Sequence, residues 1–92
     1  MKKISYLRLS AFLLRRLLDE HCFGGKQMLL ENVAKYAREN KREAEAVLHR
    51  LISQGYVMSK KKHYGTHVWL NTARLDEIRA IIESSERKTN GI

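Results

Sequence analysis

"LENVAKYARENKREAEAVLHRLISQGYV", residues 30–57, decides the fold. Leu30, Val33, Ala34 and Ala37 recur at the spacing of one helix face, which predicts a helix over 29–38. A second helix is predicted almost at once, over 41–54. Asn40 suits its N-cap, and Glu43 three residues later completes a capping-box pattern. Ala44, Val47, Leu48, Leu51 and Ile52 then form a stripe that has to be buried, and Gly55 ends the helix.

After Gly55 the period changes. "YVMSKKK" and "HVWLN" are rich in β-branched and aromatic residues, and "HYGT" with Gly65 supplies a turn between them. This predicts a two-stranded hairpin over 56–71, its arms at about 56–62 and 67–71. Asn71 or Thr72 caps a last helix, 72–86, whose apolar face is Leu75, Ile78, Ile81 and Ile82. Upstream, Leu7, Ala11, Leu14 and Leu18 make the stripe of a first helix over 5–22, widened by Leu13 and Leu17. Arg8, Arg15, Arg16 and Asp19 lie largely off the stripe, and so does Phe12. "FGGK", residues 23–26, stops this helix through glycine. "KQML", residues 26–29, reads as a short extended piece, and "ERKTNGI", residues 86–92, as a loose tail. The order is helix, helix, helix, strand, strand, helix: an α+β domain, mostly helical.

Ninety-two residues make one domain near the lower limit for independent folding, a size at which dimerisation often adds stability. A hydrophobic fraction of 43% fits a globular chain. The net charge of +8 favours polyanions: DNA, RNA or an anionic membrane surface. Cys22 is the single cysteine, so no internal disulfide forms, which fits a reducing compartment. The basic, apolar N-terminus is interrupted by Arg8, Arg15 and Arg16, and no apolar run is long enough to span a bilayer. The expectation is a soluble cytoplasmic protein without a membrane partner.

Residues 30–57 and the hairpin after them resemble the winged helix-turn-helix family of DNA-binding domains. Val33-Ala34 match the apolar pair in the middle of that family's second helix, and the spacing from Leu51 to "GYV" matches the entry into its wing. The resemblance covers about residues 7–71. One departure is the turn "ARENK", which lacks the glycine that many such turns carry.

The resemblance implies a sequence-specific double-stranded DNA-binding protein, a homodimeric transcriptional regulator needing no cofactor. Its recognition helix, 41–54, would lie in the major groove. The positions off the buried stripe are Lys41, Arg42, Glu45, Ala46, His49, Arg50 and Ser53. Arg42 is the leading candidate for base readout, since a guanidinium pairs bidentately with guanine. The plainer alternative is a set of helix-surface ion pairs, Lys41 with Glu45 or Arg42 with Glu45. Lys60, Lys61, Lys62 and His63 would form the wing, on the phosphate backbone or in the minor groove. No acid lies between Gly55 and Asn71 to neutralise them. Edge lysines that merely block aggregation are the competing explanation. Lys26, Gln27 and Lys35 are possible additions. The charges of the last helix balance, so it suits packing against the first helix, either within one chain or in a homodimer. Phe12 and Tyr6 suit such an interface, or complete a monomer core.

Other chemistry finds little support. His63 and His67 stand four apart but on opposite arms of the hairpin, and His21 adjoins Cys22 without a compact set of four ligands. Asp19 and Glu20 should raise the Cys22 pKa, which makes it a core residue and not a nucleophile. No phosphate-cradling loop or paired carboxylates point to an enzyme. Trp69 fits packing beneath the wing, and Tyr64 at its tip fits stacking on a base. RNA binding, or a protein-interaction module using the same basic face, remains the alternative to duplex DNA.

Overall fold

The computed structural model describes residues 5–90, with side chains described through residue 85. Four helices and a three-stranded antiparallel sheet follow in the order α1 (Tyr6–Asp19), β1 (Met28–Leu29), α2 (Leu30–Lys35), α3 (Lys41–Ser53), β2 (Val57–Lys62), β3 (Gly65–Leu70) and α4 (Leu75–Asn90). The fold is α+β and mostly helical, as its sequence pattern predicts. The sheet differs from the expected two-stranded hairpin. Its order is β1-β3-β2, because "KQML" supplies a third strand: Met28 pairs with Val68 and Leu29 with His67.

Ser5 caps α1, its hydroxyl accepting from the Arg8 amide at 3.2 Å. The buried face is Leu9, Ala11, Leu13, Leu14 and Leu17, with Ser10; Leu7 and Leu18 are only half-buried. The expected stripe is therefore rotated toward Leu13 and Leu17. Helix α1 ends three residues before the expected 22, and glycine does not end it. His21 takes the left-handed conformation (φ 58°), while its amide bonds Leu18 O and that of Cys22 bonds Leu17 O. This is a Schellman turn, with Cys22 buried beside Leu17. Helix α3 closes in the same way. The Gly55 amide (φ 85°) bonds Ile52 O, and the Tyr56 amide bonds Leu51 O.

Helix α2 is shorter than the expected 29–38 because the chain turns through Arg38 at φ 53°. That residue fills the left-handed position that a glycine would take without strain. A 3-10 turn, Arg38–Asn40, leads straight into α3, and the Lys41 amide bonds Arg38 O. The capping box at Asn40 and Glu43 does not form, since the Asn40 side chain makes no cap hydrogen bond. Asn40 sits at φ −95° and ψ 19°, not in the extended conformation from which a cap side chain reaches the first turn.

A 3-10 turn, Thr72–Arg74, opens the segment expected to be helix from residue 72. Asn71 caps it, Oδ1 accepting from the Ala73 amide at 3.1 Å. Most of the stretch expected to be a loose tail continues α4; Gly91 and Ile92 lie outside the described residues.

Val57, Val68 and Leu70 line the helix-facing side of the sheet. They meet Leu13 and Leu17 of α1, Val33 of α2 and Leu48 and Leu51 of α3 in one core. Each fully buried Leu or Val contributes roughly 1.5–3 kcal/mol. Ile78 and Ile82 of α4 join this core, and α4 packs on α1 within one chain. Alternation puts Met58, Lys60, Lys62, His67 and Trp69 on the other side of the sheet. Strand β2 lies at the sheet edge. Among the described residues, no helix is long and apolar enough to cross a membrane.

Candidate nucleic-acid interface

Burial of Ala44, Val47, Leu48 and Leu51 fixes the roll of α3 about its axis. With 100° per residue, the direction opposite that stripe is occupied by Arg42, Ala46, His49 and Ser53, at spacings of four, three and four. All four are exposed. Arg42 and His49 have no hydrogen bond or ion pair among the described residues. They are free to meet a partner without giving up a contact inside the fold.

The flanks of α3 are committed elsewhere. Lys41 Nζ lies 3.4 Å from Glu31 Oε1 and 3.9 Å from Glu45 Oε2, which ties α3 to α2. The Lys41–Glu45 surface pair therefore forms, whereas Arg42 takes no part in one. On the opposite flank the Arg50 guanidinium lies over the Tyr6 ring, 4.9 Å from its centroid. Tyr6 in turn donates its hydroxyl to Gln54 Oε1 at 3.1 Å. Arg50 and Tyr6 thus join α3 to α1, and both remain exposed.

The distal part of the hairpin stands clear of the core. In β2 only Val57 is buried, and Lys60, Lys61, Lys62 and His63 are all exposed. Lys60 pairs with His67, Lys61 with Thr66 and Lys62 with Gly65. Lys60 and Lys62 therefore point to one side of the sheet and Lys61 to the other. Lys62 Nζ donates to Gln27 Oε1 at 3.0 Å, a neutral partner that leaves its charge in place. Gly65 (φ 123°) closes the turn, and a Cβ there would meet Leu29 Cδ2 at 3.3 Å. Tyr64 projects from that turn. Trp69, on β3, is half-buried against the core and lies beside Gly24.

The root of the hairpin is held from the far side of β3. Asn71 donates from Nδ2 to Gly55 O at 2.8 Å and from its amide to Tyr56 O at 3.0 Å. The Arg74 guanidinium bonds Gln54 O, lies 4.1 Å from the Tyr56 ring centroid and pairs with Glu77. A few residues thereby fix the angle between the end of α3 and the start of β2.

Two further cations distinguish themselves. Arg38, missed by the sequence reading, is exposed one turn ahead of Arg42 and is without an ion pair among the described residues. The missing glycine in "ARENK" was its only signal. Lys35 is exposed on α2, whereas Lys26 pairs with Glu20 at 3.2 Å. Phe12, 38% exposed, lies off the buried face of α1. Cys22 is fully buried. Burial pushes its thiol pKa up, with Glu20 adding to the effect and Lys26 opposing it. Among the described residues, no three His, Cys, Asp or Glu side chains gather where a metal ion would be held.

Comparison with protein-family models, curated proteins and solved structures returned no match.

Proposed function

We propose that this chain is a winged helix-turn-helix protein that binds double-stranded DNA sequence-specifically and acts as a homodimeric transcriptional regulator. The observation that carries the reading is the outward stripe of α3, Arg42, Ala46, His49 and Ser53, on a helix rigidly joined to an acid-free cationic hairpin. The order of elements supports it too: a helix pair with a tight turn, then a hairpin whose sheet is completed by a short strand after the first helix.

In this mechanism the stripe faces the base edges of the major groove. Arg42 pairs with a guanine and His49 bonds a base edge or a phosphate, while the small Ala46 and Ser53 allow close approach. Lys60, Lys61 and Lys62 hold the backbone, which positions the protein without reading sequence. Lys41, Glu45 and Arg50 orient α3 through their contacts with Glu31 and Tyr6, and take a secondary part. Arg38 and Lys35 add phosphate contacts ahead of the helix. Homodimer formation uses the first and last helices, with Phe12 exposed on α1 as its apolar contact. Blocking a promoter is the simplest output for a domain of this size.

Selection from a random duplex DNA pool at moderate salt tests the reading. The expected result is a short enriched palindrome whose half-site spacing reports the dimer. Binding without an enriched motif would overturn sequence-specific recognition. Absence of duplex binding would overturn the DNA reading altogether.

A further inference from the structure

Tyr64 stands apart from every other large hydrophobic side chain described. It is 89% exposed, against 41% for Met58, the next in order. It lies in the turn between Lys62 and Gly65, which pair across the hairpin, so the ring is carried at the tip and not along an arm. It makes no hydrogen bond or ring contact among the described residues. A tip that had only to turn and stay soluble would favour Asn, Asp or Gly. The phenol ring contributes nothing to the core it has left.

What surrounds the ring is charged in one sense. Lys60, Lys61, Lys62 and His63 precede it, and no acid occurs from Gly55 to Arg74. The turn that carries the ring depends on its glycine, because Gly65 holds a backbone conformation (φ 123°) that other residues rarely adopt and a Cβ there would crowd Leu29. Lysines that grip phosphates would bring the ring to the bases beside them. In a paired duplex those bases are stacked and their faces are closed. A base that has lost its partner is unstacked at far lower cost and offers a π-face that any aromatic ring can meet.

We infer that Tyr64 is a stacking site for an unpaired nucleobase, so that the hairpin favours duplex DNA interrupted by a bulged base over the same duplex fully paired. This rests on the duplex-DNA reading above and adds to it a preference for DNA structure that is independent of base sequence.

The test uses the full chain and two duplexes of one sequence, one fully paired and one carrying a single bulged 2-aminopurine. The interrupted duplex is expected to bind roughly five- to a hundredfold more tightly, the range that stacking on one base supplies. The fluorescence of 2-aminopurine should be quenched on binding. Tyr64→Phe should keep both effects and Tyr64→Ala should lose both. The salt dependence of Tyr64→Ala should match that of the unaltered chain, because no phosphate contact is removed. Equal affinity for the two duplexes, or a preference that survives in Tyr64→Ala, would overturn the inference while leaving the duplex-DNA reading in place. Failure to bind either duplex would overturn both.

Discussion

Asn71 donates its side-chain amide to the carbonyl of Gly55, 2.8 Å away and sixteen residues earlier in the chain. That carbonyl belongs to the left-handed residue that ends α3, so the bond fastens the exit of β3 to the joint between α3 and β2. Asn71→Ala leaves the carbonyl without this donor and removes the cap on the following turn. It should cost about 1–3 kcal/mol in urea unfolding. On the proposed function it should also weaken duplex binding without lowering the salt slope, since no phosphate contact is lost.

Arg42 is the strongest test of base reading. Arg42→Ala should cost about 1–3 kcal/mol on the selected site and relax its sequence preference. Its exposure and lack of partners mean that thermal stability should be almost unchanged. Competition between the selected site and random duplex separates the outcomes: equal loss on both makes Arg42 a phosphate contact.

On the proposed function, the lysine run answers to ionic strength. Replacing Lys60, Lys61 and Lys62 by Ala should weaken binding to all duplex sequences and lower the salt slope by up to about 0.9 per lost contact. A slope that does not move would sink the assignment of the hairpin to the backbone.

Cys22 gives a prediction independent of any partner. Its folded-state pKa is raised by burial above the ordinary 9.0, so the folded chain holds this proton at a pH where the unfolded chain has begun to lose it. Stability from this group is full below the unfolded value and is lost as pH rises through the folded one. The difference in unfolding free energy between the parent and Cys22→Ala should therefore shrink from pH 7 to pH 10. A thiol reagent should label Cys22 only as the chain unfolds.

The α3 stripe and the hairpin were legible because their signals are local. Ala44, Val47, Leu48 and Leu51 repeat at helical spacing, and all four are buried. The third strand was harder to see as part of the sheet. Two residues carry no periodicity, and Met28 finds Val68 only when the chain is folded. The same holds for the site. Nothing near Lys41 announces Glu31 as its partner, and nothing near Arg50 announces Tyr6. These long-range contacts separate the free positions of α3 from the occupied ones. The failed capping box teaches a related lesson: Asn40 has the right identity, but the turn through Arg38 leaves its backbone outside the extended conformation a cap needs.

The edge position of β2 has a consequence for handling the protein in isolation. Among the described residues its outer row of backbone groups has no neighbouring strand, which invites a second copy to add itself. Three consecutive lysines make that encounter repulsive, so on the proposed function one tripeptide serves as both guard and grip. Any chemistry that erases those charges, such as lysine acetylation, strips away colloidal protection and, on the proposed function, affinity for DNA. A chain modified there should become sticky toward itself while its helices remain intact.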